Sequence, residues 1–268
     1  MNTWEKLGGR AGPGRSARVP RRPPRTRLET AGSALLAAMV AAQLATGVRQ
    51  DDVRLVSLVV ALLAAAALAY AAAVHAPLRA LAAFAAASAT GYAAEWIGTR
   101  YAIPFGEYRY TGVLWPHPGG VPLVVALAWG GMGLAAQAVA RRIVPEGRWA
   151  RACVGALALT AWDLFLDPQM LRLGLWEWVD TGPYRGVPWS NFAGWFLVSL
   201  LVMALIDRIV GDPSPGSTGL VMVYTAMAVM ETVGFAVVFH PADPLVATAG
   251  GIAMGTFVLL AWRHRWPK

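Results

Sequence analysis

The sequence predicts an all-α fold, a polytopic membrane helix bundle of about eight transmembrane helices with two ordered, aromatic-rich outer loops. The chain has 268 residues, 57% hydrophobic and only 14% charged. A soluble domain of that composition would expose large apolar patches, whereas a bilayer accepts them on every outward helix face. The apolar residues also fall into runs close to the roughly 20 residues needed to cross hydrocarbon. Between them the cations alternate, abundant at one side and sparse at the other.

The expected spans are 30–48, 53–74, 77–98, 120–143, 149–170, 191–210, 217–239 and 244–262. Gln43 interrupts the first, so a count of seven stays open. Residues 1–28 carry Lys6, Arg10, Arg15, Arg18, Arg21, Arg22, Arg25 and Arg27 among Pro and Gly, too little apolar area to fold. The expected organisation is therefore a disordered basic cytoplasmic tail (1–28) and a single transmembrane helical domain (29–268). A signal peptide formed by the tail and first run is the alternative, although no convincing cleavage site stands out.

With the tail inside, Arg79, Arg141, Arg142, Arg148, Arg151, Arg208, Arg263, Arg265 and Lys268 are also inside. Arg49, Arg54, Arg100, Arg109, Arg172 and Arg185 are outside. This bias predicts a multi-pass protein of the cell membrane with both termini cytoplasmic. The excess of 23 Lys plus Arg over 15 Asp plus Glu thus reads as topology. Outside the tail no basic face is interleaved with stacking aromatics, so no nucleic-acid partner is expected. Cys153, the only cysteine, lies in an apolar run and is expected to pack there.

Four acids fall inside the spans, beyond the reach of snorkelling: Glu95, Asp163, Asp167 and Glu231. Acids in hydrocarbon are expensive and mark functional sites. All four lie in the outer halves of helices running outward, hence at one depth. Asp163 and Asp167 share a helix face, and Pro168 is expected to end or kink the span beside them. Hydrocarbon, the negative helix end and a neighbouring carboxylate all favour the neutral form of an acid, the form a general acid needs. The two aspartates would titrate as a coupled pair. A purely structural role is the alternative, by hydrogen bonding between helices or by pairing with Arg100, Arg109 or Arg172.

The outer loops, 99–119 and 171–190, are long for connections and hold Tyr101, Phe105, Tyr108, Tyr110 and Trp115, then Trp176, Trp178, Tyr184 and Trp189. Ordered loops of this length usually have a task, although an aromatic belt at the headgroups would use the same residues. No metal is expected, because His75, His117, His240 and His264 are scattered over both sides. One Asp-x-x-x-Asp without a basic cluster falls short of a magnesium diphosphate site. No Gly-rich nucleotide loop or activated nucleophile appears.

The ordered set of motifs over residues 88–211 resembles the CruF-type carotenoid biosynthesis membrane proteins, whose known members hydrate the ends of acyclic carotenoids. The set is Glu95-x-x-Gly98, Pro104-Phe105-Gly106-x-Tyr108-x-Tyr110, the run Pro122 to Trp129, Asp163-x-x-x-Asp167-Pro168-x-Met170, Gly174-x-Trp176-x-Trp178 and Pro188-x-x-Asn191-Phe192-x-Gly194-Trp195. The tail, the first two spans and the last two match little beyond hydrophobicity.

The resemblance implies a cofactor-independent hydro-lyase acting on the terminal isopropylidene C=C of an acyclic (psi-end) carotenoid and giving a tertiary alcohol. Its partners would be the carotenoid, water and the lipid bilayer, with other carotenoid enzymes as candidates. Chemically, Asp163 or Asp167 would be the general acid, and the other, or Glu95, would position water and act as base. Tyr108, Tyr110, Trp162, Trp176, Trp178 and Trp195 would line the slot and stabilise a tertiary cation, each by about 2 kcal/mol when desolvated. Asn191 is expected to be an N-cap or to hold the water, and Glu231 is a candidate accessory acid with a purely structural role as its alternative. The rivals are an acid-catalysed lycopene cyclase, whose product is an isomer, and a proton-coupled transporter using the four acids as a relay.

Overall fold

The structure, a computed structural model, describes residues 26–211 and 216–263. Of the tail expected over 1–28, positions 1–25 lie outside the described residues, and Arg27 and Leu28 already belong to the first helix. Eight long helices are described: α1 (Arg27–Val48), α2 (Val53–Val74), α3 (Pro77–Tyr101), α4 (Leu123–Ile143), α5 (Arg148–Arg172), α6 (Trp189–Val210), α7 (Thr218–Val233) and α8 (Pro244–Arg263). A π-helical turn, Gly234–Val238, extends α7. Seven of the eight are long and apolar enough to cross a membrane. The exception is α3 rather than the doubted α1: it is 25 residues long, but Arg79, Ser88, Thr90, Glu95, Thr99 and Arg100 dilute its apolar run.

Local chemistry sets the helix ends. Thr26 and Glu29 form a reciprocal capping box at the start of α1, satisfying donors that have no intrahelical partner. Pro77 opens α3, where its missing N–H costs nothing. At Pro168 the expected break does not occur, and α5 runs on to Arg172. Pro168 cannot donate to the carbonyl of Leu164, and the Tyr184 hydroxyl donates to it instead at 2.9 Å. A loop tyrosine thus replaces the missing bond and ties the second loop to α5.

At the centre is α4, packed against α2, α3, α5, α6, α7 and α8 and buried almost continuously from Ala128 to Arg141. Small residues make that possible, since helices in lipid gain little from the hydrophobic effect and associate through close backbone approach. A Cβ on Gly131 would stand 2.3 Å from Leu63, and one on Gly91 would stand 2.1 Å from the Trp129 ring. At the end of the bundle where the chain enters α1, Asp207 pairs with Arg141 at 3.1 Å and with Arg151 at 3.0 Å, linking α4, α5 and α6. Cys153, expected to pack inside, is exposed.

At the opposite end the two aromatic loops form one structure. Strand β1 (Tyr108–Tyr110) pairs antiparallel with β2 (Trp176–Trp178), in the register Tyr108 with Trp178, Arg109 with Glu177 and Tyr110 with Trp176. Strand alternation sends the four aromatics inward, and Arg109 pairs with Glu177 outside at 2.9 Å. The second loop is also strapped to the start of α8 by Arg185 and Asp243, 2.7 Å apart.

Gly91→Ala should force Trp129 from its place and lower stability by about 1–3 kcal/mol. Thermal unfolding in detergent, with Gly255→Ala as a control that meets nothing within 4 Å, reads this. Partial burial raises the Asp243 carboxyl, but the Arg185 guanidinium and the Val246 N–H outweigh it and hold the group below the usual carboxylate range. A lowered carboxyl contributes stability above its unfolded value and loses it as pH falls through its folded one. Protease nicking of loop 179–187 should therefore rise below about pH 4, and Asp243→Asn should remove that pH dependence.

Candidate active site

The three acids Glu95, Asp163 and Asp167 are 5%, 0% and 1% exposed, and each is satisfied by different means. Glu95, from α3, accepts at Oε2 from the hydroxyls of Tyr108 (2.5 Å) and Tyr110 (2.9 Å). Its Oε1 accepts from the indole N–H of Trp129 at 3.2 Å. Burial, and then the nearby Glu95 carboxyl, push both phenols well above their ordinary range, so they stay protonated donors.

The Asn191 amide donates both its hydrogens to the aspartate pair, one to Oδ2 of Asp163 at 2.7 Å and one to Oδ2 of Asp167. Asn191 is 2% exposed and sits one turn inside α6, whose N-cap is Pro188. The expected N-cap role is thus replaced by a bridge between the acids. Oδ1 of Asp163 is buried and has no hydrogen-bond partner among the described residues.

The aspartates differ in what they face. A cavity of about 10 Å³ is lined by Glu95, Phe105, Tyr108, Asp167, Trp176, Trp178, Asn191 and Trp195. That is room for about one water. Asp163 lines neither this cavity nor the two larger ones described next, and it stands behind Asp167. The Trp176 indole N–H is directed at the Asp167 carboxyl, and that of Trp178 has no hydrogen-bond partner among the described residues.

An apolar slot of about 30 Å³ shares Glu95, Trp176 and Trp195 with the small cavity and adds Trp129, Ala128, Val124 and Leu114. Trp129 stacks on Trp195 with centroids 4.1 Å apart and planes 15° apart, and Trp162 meets Trp195 edge-on. Val56, Val60, Leu166 and Met170 line both this slot and a chamber of about 340 Å³ among α1, α2, α5 and α7, so the two cavities adjoin across these side chains. Leu44, Val48 and Val233 on the chamber's rim are exposed, so its mouth faces the lipid side.

Of the expected site residues, Glu95, Tyr108, Tyr110, Asp163, Asp167, Trp176, Trp178, Asn191 and Trp195 converge. Trp162 joins them from the chamber side. Glu231 does not, and lines the large chamber instead. None of the three arginines considered as partners pairs with the acids among the described residues. Arg109 takes Glu177, Arg100 takes the carbonyls of Trp96 and Gly119, and Arg172 takes that of Pro241. Two residues were missed, Trp129 and Tyr184. The alternation Tyr-Arg-Tyr and Trp-Glu-Trp, with opposite central charges, was a signal for the strand pair that went unused.

The chain matches the family described as "Carotenoid biosynthesis protein" over residues 56–260. It belongs to that family. The match takes in α2 from Val56 onward and most of α8, a wider stretch than the 88–211 expected from the motifs, and it includes Glu95, Asp163, Asp167 and Glu231. Over 121 residues the chain is 31% identical to the bisanhydrobacterioruberin hydratase of Haloarcula japonica. That alignment covers 43% of this chain and 41% of the relative, so this chain spans about two fifths of that protein's length. No solved structure matches it.

The carotenoid biosynthesis motifs now have a physical basis. A Cβ at Gly194 would lie 2.7 Å from the Pro104 carbonyl oxygen, and the Ser190 hydroxyl donates to the Phe105 carbonyl at 2.9 Å. The first loop therefore docks directly on α6. Tyr184→Phe should leave the Leu164 carbonyl unpaired at a cost of about 1–3 kcal/mol, read as a lower unfolding temperature, while Tyr184→Phe combined with Pro168→Ala should recover most of it.

Proposed function

We propose that this chain is a carotenoid hydratase that adds water to the terminal isopropylidene C=C of an acyclic carotenoid. The observation that carries this reading is the pair of acids, Asp167 and Glu95, facing one water-sized cavity that adjoins an apolar, tryptophan-walled slot. Asp167 delivers the proton to the less substituted alkene carbon, and its O–H bond breaks as the C–H bond forms. The tertiary carbon is left cationic beside the faces of Trp195 and Trp129. The water bonds to that carbon and gives a proton to Glu95, the second acid facing the same cavity. The proton then returns from Glu95 to Asp167 across the shared cavity, so the net change is one water added to one double bond.

Asp163 supports Asp167 through the common Asn191 amide, and its free Oδ1 gives the pair a place to hold a second proton. Nothing beyond water and the side chains is needed for these steps. A lycopene cyclase would share the protonation, but a water-sized cavity bounded by Asn191, Glu95 and Asp167 favours capture of the cation by oxygen. A transport relay gains less support, because among the described residues no hydrogen-bonded chain joins Glu231 to the other acids.

Expression in a lycopene-making host, followed by mass analysis of the pigments, should yield products heavier by one water per modified end. Asp167→Asn and Glu95→Gln should each lower the yield by about 10²–10⁴, and Asp163→Asn by less. Unchanged pigment from well-expressed protein overturns the hydratase reading, and an isomer of unchanged mass moves it to cyclisation.

A further inference from the structure

Glu231 is the acid that the proposed chemistry leaves unused. It is 8% exposed, ends α7 just before the π-helical turn, and accepts no hydrogen bond from any described residue. It lines the 340 Å³ chamber together with Gln43 and Gln169, among Val, Leu, Met and Trp side chains. The Gln43 Nε2 is engaged with the Met227 sulfur at 3.3 Å, and its Oε1 is buried without a partner among the described residues.

A chamber meant only for hydrocarbon gains nothing from these groups, because each unpaired buried polar atom carries a desolvation penalty. Two oxygen acceptors lining one chamber, neither taking a hydrogen bond from another described residue, suit a ligand that brings an O–H. An anion would be repelled by the carboxylate, and a cation would itself have to be desolvated among the apolar walls. An alcohol carried on an apolar chain satisfies both demands, with Gln169 as a further amide on the α5 wall.

We infer that the large chamber is a second recognition site, in which Glu231 and Gln43 receive a hydroxyl group on the same linear polyene whose double bond reaches Glu95 and Asp167. The inference rests on the hydratase reading for the identity of the polyene and on the chamber adjoining the slot, with only the apolar side chains of Val56, Val60, Leu166 and Met170 shared between them. It makes Glu231 a specificity residue, selecting carotenoids that already bear a hydroxyl over the bare hydrocarbon.

Binding tests this without turnover. The full chain carrying Asp167→Asn, purified in detergent, is mixed with two acyclic carotenoids that differ by one tertiary hydroxyl, and bound pigment is read by absorbance after gel filtration. The hydroxylated pigment should bind about tenfold more tightly, the worth of one good buried hydrogen bond. Adding Glu231→Leu should bring the two affinities together without loss of hydrocarbon binding, whereas Glu231→Gln should keep part of the preference. Equal affinities in the parent protein, or a preference that survives Glu231→Leu, overturn the inference. So does competition by hexadecan-1-ol as strong as that by the hydroxylated carotenoid, which would assign the site to lipid alcohols. Selective binding by a protein that adds no water in the host would refute the hydratase reading alone.

Discussion

Carboxyl groups placed in hydrocarbon must be satisfied by the protein itself, because the surrounding lipid has no hydrogen bond to give. Much of this molecule's architecture follows from that constraint. Glu95 takes three donors, two from a strand and one from the central helix, and the aspartate pair takes both hydrogens of a single amide on α6. The strand of the first loop delivers two of these donors and is held in place by pairing with the strand of the second, and α3, α4, α5 and α6 are held in register because each supplies one part of the network.

The same network separates the acids chemically. Glu95 accepts at both oxygens, so a proton on it would cost a hydrogen bond. Asp167 shares one amide with Asp163 and faces the small cavity, while Asp163 sits behind it with an oxygen unpaired. Residues only one turn apart thus differ in access and partners. The aromatic walls serve packing. Trp129 is locked between Glu95 and Trp195 and sits against Gly91, so in the proposed hydration the face turned to the cation is rigid and needs no reorganisation when charge develops.

Much of the site was legible because hydrocarbon makes polar residues conspicuous. Asp163, Asp167 and Glu95 stood out on cost alone, and the fourth-residue spacing placed the aspartates on one face. The function of Asn191 was hidden, since an Asn near a helix start looks like a cap and nothing local shows that its amide spans to α5. Trp129 was hidden among other apolar residues of α4. Tyr184 was hidden because its purpose lies in a carbonyl that Pro168 leaves open on another element.

From the sequence alone came the class of fold, the number and order of the long helices, and the acids set within them, since apolar run length and the cost of burying charge are properties of the chain. Only the tertiary structure decided which of those acids meet. Glu95 and the aspartates come together because paired strands and close-packed small residues draw α3, α5 and α6 around one water-sized space. Glu231, at a similar expected depth, goes to a different chamber, because depth along a helix says nothing about the direction in which that helix turns its side chain.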